Sequence, residues 1–167
     1  MIERLYEVFA TPRPGVVDFC DHCVDAANVT PFTTVPLRHL TSDQVGKFWL
    51  KSGTIGDEMF VRYLLPRVME LIALGELEAD FFWLRLVAEA YEQGDPREQA
   101  AVREYFLATP VALAGLVREG PKAGPLTEWC RTPETLAVLE RAALNQPDPS
   151  GALSDAHAEL EAHLSSK

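Results

Sequence analysis

Apolar residues recur at helical spacing along most of the chain, most densely in TSDQVGKFWLKSGTIGDEMFVRYLLPRVMELIALGE, Thr41 to Glu76. Thr41 and Gln44 fit the S/T-x-x-E/Q capping box, in which each side chain satisfies a backbone amide at a helix start. Val45, Phe48 and Trp49 follow at i, i+3 and i+4, which predicts a one-faced helix. Gly53-Thr54-Ile55-Gly56 interrupts it, and Asp57 is placed to cap the next helix. There Met59, Phe60, Tyr63, Leu64, Val68, Leu71 and Ile72 cover more than one stripe. A helix apolar on most sides belongs in a core or carries an interface, and core is the expectation. Pro66 removes one helical hydrogen bond and crowds the preceding turn, so a kink or break is predicted near Tyr63 to Leu65.

The flanking segments follow the same logic. Ile2, Leu5 and Phe9 mark a short helix that ends at Thr11-Pro12-Arg13-Pro14-Gly15. Val16 to Pro36 is the least helical part and is expected to be mostly irregular, with room for a short β-type pairing. Ala79 to Gln93 places Phe81, Leu84, Val87, Ala88 and Tyr91 on one face. Asp95-Pro96-Arg97-Glu98 supplies an N-cap, a proline at the first helical position and a glutamate three residues after the cap. Helical spacing then runs through Pro110, which either kinks one helix or starts a second, and Gly120-Pro121 ends it. A short helical turn over Pro125 to Arg131, a helix from Pro133 to Asn145, a linker, and a last helix capped by Ser154 complete the chain. Thr109-Pro110 and Thr132-Pro133 share the pattern T-P-x-x-L-A-x-L, two copies where a stacked repeat needs three.

The fold class predicted is therefore all-α, a single domain of about seven or eight helices. Its parts are an N-terminal helix and cysteine-bearing loop (1–40), central helices (41–93), proline-punctuated helices (95–146) and a C-terminal helix (152–165). A length of 167 residues suffices for a core without disulfide or metal staples.

Charge narrows the partners. Twenty-five acidic against 15 basic residues give a net charge of −10, and the basic residues are scattered. Nucleic-acid binding and anionic membrane surfaces are disfavoured. No apolar run approaches the roughly 20 residues of a membrane span. The opening MIERLYEVFATPRPG lacks the layout of a signal peptide. With three cysteines, an odd number, the expected location is a reducing cytoplasm, where C-x-x-C is more often metal-binding or redox-active than a structural disulfide.

Cys20-Asp21-His22-Cys23 is the sharpest chemical feature, and three readings of it stay open. Two thiolates two residues apart form half of a tetrahedral zinc site, with His39 as a third ligand and His22 or Cys130 as a fourth. A histidine between two cysteines also suits thiol redox chemistry. The bland reading is a pair of small thiols packing a loop onto the helices. Elsewhere the bland readings lead. Arg67 beside Pro66 can bind an anion, but Glu70 three residues on explains it as an ion pair. His157 reads as a packed side chain and His163 as a helix-end charge. Phe81, Phe82 and Trp83 cannot all be buried by one helical face, so Phe82 or Trp83 is a candidate dimer or partner contact.

Cys20 and Cys23, Leu40-Thr41 with Gly46, Gly56-Asp57, and Leu65-Pro66-Arg67 with Glu70-Leu71 together resemble a group of uncharacterised bacterial proteins. These share a C-x-x-C loop and a G-D-x(7)-L-P-R-x-x-E-L helix. The resemblance covers the first half of the chain and implies a bacterial, intracellular, helical protein; it transfers no site.

G-x-S-x-G, P-loop, G-x-G-x-x-G and H-E-x-x-H patterns are all missing, which weighs against an enzyme. The sequence is read first as a non-catalytic interaction or regulatory module that engages an unknown protein or a second copy of itself. The alternative is a zinc-binding or thiol-dependent protein acting through Cys20 and Cys23, with zinc as the only cofactor in view. An enzyme with a pocket between helices comes third.

Overall fold

The computed structural model describes residues 1–50 and 55–166 and, for Trp49 and Leu50, the backbone alone. The expected place of Trp49 on a helical face and the turn residues Gly53 and Thr54 therefore lie outside the described residues. Among those described, ten α-helices, one 3-10 turn and a single isolated β-bridge make an all-α fold. The chain packs as two compact units, Ile2–Glu78 and Ala79–Lys167, with Met1 belonging to the second. The boundary falls inside the segment 41–93 that the sequence groups as central helices.

The first unit holds α1 (Ile2–Val8), α2 (Ala26–Thr34), the 3-10 turn Leu37–His39, α3 (Ser42–Leu50) and α4 (Glu58–Ala73). The capping signals act as their chemistry predicts. Thr41 N–H donates to Gln44 Oε1 at 3.0 Å while Gln44 N–H donates to Thr41 Oγ1 at 3.2 Å. The Asp57 carboxylate accepts from Phe60 N–H at 2.9 Å. At the other end of α4, Gly75 adopts a φ of +71°. Its N–H reaches Ile72 C=O, and Glu76 N–H reaches Leu71 C=O. This closure takes up two of the helix's last carbonyls and favours glycine.

α4 is the core of the unit. Phe60, Tyr63, Leu64, Leu65, Val68, Met69, Leu71 and Ile72 are all buried along it. Of the kink or break expected near Tyr63 to Leu65, the break does not occur: α4 runs continuously through Pro66, which is itself buried. Proline inside a helix costs about 3 kcal/mol. Burying a large apolar side chain returns about 1.5–3 kcal/mol, and several lie within a turn of Pro66 on either side. Packing wins over local propensity.

The segment expected to be irregular contains α2, which is a correction. Asp25 caps it by accepting from Ala27 N–H at 2.9 Å, and Val29 and Phe32, at i and i+3, are buried. Thr30 and Thr34 turn their hydroxyls back onto the carbonyls of Ala26 and Thr30, both at 2.9 Å. Threonines and Pro31 make this stretch look extended in sequence, yet two buried side chains hold it helical. The Phe32 and Phe48 rings meet Phe60 edge-on, with centroids 5.1 and 5.5 Å away.

The second unit holds α5 (Phe81–Gln93), α6 (Pro96–Ala108), α7 (Pro110–Glu119), α8 (Pro125–Cys130), α9 (Pro133–Asn145) and α10 (Ala152–Ser165). Pro110 starts a new helix, and α6 and α7 are bent by 104° at that point. Both T-P dipeptides thus open helices, α7 and α9, which pack together and against α10. Ser154 is not the cap of α10. The helix begins at Ala152, and Asp148 accepts from Leu153 N–H at 3.2 Å, Ser154 N–H at 3.0 Å and Ser154 Oγ–H at 3.0 Å. An aspartate six residues upstream reaches the free amides that the serine was expected to serve.

Candidate functional site

The cysteine turn is held at both ends. Before it, Phe19 pairs with Ile55 in the isolated antiparallel bridge, and Gly56 N–H donates to Asp18 C=O at 2.7 Å. Gly56 has a φ of +68°, and a Cβ there would fall 2.1 Å from the Phe60 ring, so only glycine lets the chain pass this close to α4. After it, Val24 is buried and Asp25 opens α2. Between these anchors the backbone folds on itself, with Cys23 N–H and Val24 N–H both donating to Cys20 C=O, at 3.0 and 2.9 Å.

That turn sets the two sulfurs 3.3 Å apart, within hydrogen-bonding reach of each other. The two are not joined in a disulfide; Cys20 is half-buried and Cys23 exposed. The Cys20 thiol is held below its ordinary value, first by the Cys23 thiol and then by the backbone amides of Cys23 and His22, all of which stabilise a thiolate. Burial and the neighbouring Asp21 carboxylate oppose that shift without cancelling it. The third cysteine is chemically opposite. Cys130 is fully buried in the second unit, donates to Thr127 C=O at 3.1 Å, and is pushed up to about 11 by desolvation.

The zinc set drawn from sequence does not assemble. His39 lies exposed in the 3-10 turn. Among the described residues, no three or more His, Cys, Asp or Glu side chains gather where they could hold a metal ion. Cys20 and Cys23 remain two donors of a required four.

The other candidates resolve individually. Arg67 makes the ion pair that Glu70 suggested, at 2.6 Å, and also donates to Leu40 C=O at 2.8 Å. Glu70 accepts in addition from the Tyr6 hydroxyl at 2.6 Å. Burial first, then Glu70, push that hydroxyl well above its ordinary value. Arg38 lies 3.9 Å from the Tyr6 ring centre and pairs with Glu3 at 2.6 Å. This polar knot joins α1, the 3-10 turn and α4. It fully engages Arg67 within the unit. Of the aromatic triplet, Trp83 is a core residue at 2 % exposure and Phe82 is half-buried against it. The exposed member is Phe81, at 53 %, the first residue of α5, which Asp80 caps by accepting from Trp83 N–H at 3.1 Å.

Sequence reasoning missed one feature of this unit. A pocket of about 350 Å³ lies between the loop that precedes the cysteine turn and the start of α4, and Tyr63 contributes to its lining. Periodicity placed Tyr63 in the core but could not show that its hydroxyl would lack a partner.

No protein-family model, no curated protein and no solved structure matches this chain. Among the described residues no single helix is long and apolar enough to cross a membrane.

Proposed function

We propose that this is a thiol-dependent protein whose working group is the Cys20–Cys23 pair, cycling between dithiol and disulfide. One observation carries the reading: two unbridged thiols 3.3 Å apart on an accessible turn whose ends are fixed by a β-bridge and a helix cap. A disulfide needs the sulfurs at about 2.05 Å. They are already neighbours, so oxidation requires only adjustment of the two side chains. The lowered Cys20 thiol gives it the role of the attacking partner.

The exchange balances without any further reagent. The Cys20 thiolate attacks a partner disulfide, forming a mixed disulfide and releasing one partner thiolate. Cys23, deprotonated in turn, attacks Cys20 Sγ, closes the intramolecular disulfide and releases the second thiolate. Two electrons pass to the partner, and the released thiolates take up the protons the cysteines lose. The regulatory character expected from sequence fits here, since closing the bridge alters an exposed turn that leads straight into α2. A reducing cytoplasm would keep the resting form as the dithiol.

Equilibration against mixtures of reduced and oxidised glutathione tests this. Intact mass should show a two-hydrogen loss, with the link mapped to Cys20–Cys23, and Cys23→Ser should stop at a stable mixed disulfide on Cys20. Failure to close the bridge at any glutathione ratio would contradict the proposal, as would stoichiometric zinc bound by the purified protein and lost in Cys20→Ser.

A further inference from the structure

The pocket beside the cysteine turn has a composition of its own. Val17, Met59 and Phe60 give it apolar walls, and Arg13, Asp18 and Tyr63 supply polar groups. Its volume of about 350 Å³ falls in the range of small-ligand sites. Tyr63 is only 3 % exposed, and its hydroxyl is buried with no hydrogen-bond partner among the described residues. An unmet buried hydroxyl costs about 1–3 kcal/mol, so native proteins rarely keep one without a reason.

The surrounding charges indicate which group would satisfy it. Burial pushes the Tyr63 hydroxyl up, and the Arg13 guanidinium acts on it in the opposite sense, so that cation is electrostatically near. Arg13 otherwise makes one long contact, NH1 donating to Thr34 C=O at 3.4 Å. Of the two acidic residues in the lining, Asp57 is committed to capping α4 and Asp18 is exposed. Tyr63 and Arg13 are both donors. An acceptor that takes a hydrogen bond from each, carried on an apolar body, matches them.

We infer that this pocket binds a small organic carboxylate, with Tyr63 and Arg13 receiving the carboxylate and Val17, Met59 and Phe60 the apolar body. The site does not depend on the dithiol reading, because none of these groups is a thiol.

The test titrates hexanoate, octanoate and phenylacetate into the full chain, followed by NMR shifts, with the matching alcohols and amines as controls. Saturable binding of at least one acid, with shifts centred on Tyr63, Val17 and Met59, is expected, and the matching alcohol and amine should be weaker. Tyr63→Phe, which keeps the ring and so the packing, should weaken the acid by about tenfold with an unchanged circular dichroism spectrum. Arg13→Gln should abolish the preference for acid over alcohol. Three outcomes would overturn the inference: no acid binding at millimolar concentration, amines binding better than acids, or Tyr63→Phe leaving affinity unchanged. The last would mean that water satisfies the hydroxyl. Repeating the titration with Cys20→Ser separates the two proposals, since binding should be unaffected.

Discussion

Glu70 Oε2 takes two hydrogen bonds at 2.6 Å, from Tyr6 and from Arg67, while the Arg67 and Glu70 side chains are 12 % and 18 % exposed. A charge pair this far from water is stabilised by its completeness: removing one partner strands the other, which costs about 3–5 kcal/mol when burial is full and less when it is partial. Glu70→Gln should therefore destabilise the protein by about 1–3 kcal/mol in urea unfolding, and Tyr6→Phe by about 1 kcal/mol. A Glu70→Gln protein as stable as the parent would show the knot to be ornamental. The Arg67–Glu70 part of this was legible in sequence because the two residues are one helical turn apart. Tyr6 is 64 positions from Glu70, and no local pattern signals that contact. The same limit hid the unmet hydroxyl of Tyr63. Its burial follows from periodicity, but its lack of a partner depends on Arg13 and the loop beyond it. The dithiol lies at the other extreme, because a turn of four residues brings its ends together and the spacing alone announces it.

Helix starts were the most readable elements. Thr41, Asp57 and Asp95 cap where S/T/D followed by an apolar run predicts, because that chemistry is local. Structure departs from the local pattern where something outside the element decides. α2 exists because Val29 and Phe32 find a core, against the preferences of threonine and proline. α10 starts early because Asp148 reaches forward from the linker. That capping carboxylate lies below its ordinary value, the amides of Ser154 and Leu153 holding it ionised. A lowered folded value means the group stabilises the folded state above its unfolded value near pH 4, and that this contribution fades as pH falls through the folded value. Hydrogen exchange should show the first turn of α10 losing protection in acid more than α9 does. Asp148→Ala should remove the difference by lowering that protection at neutral pH as well. Equal protection of α10 in Asp148→Ala and parent at pH 7 would contradict the capping role.

Taken whole, the chain carries a net charge of −10 over two compact units, and its reactive chemistry is concentrated in the first. The second contributes a thiol of the opposite character, Cys130, sealed in its core. The protein therefore contains its own control for thiol reactivity. The most direct measurement is the pH dependence of iodoacetamide alkylation, read cysteine by cysteine from peptide masses on the native protein. Cys20 should react with a midpoint below the ordinary cysteine value of about 8.5, Cys23→Ala should move that midpoint upward, and Cys130 should stay unmodified until the protein is unfolded. A Cys20 midpoint at or above the ordinary value and insensitive to Cys23→Ala would leave the pair as packing residues and remove the basis for a thiol-dependent function.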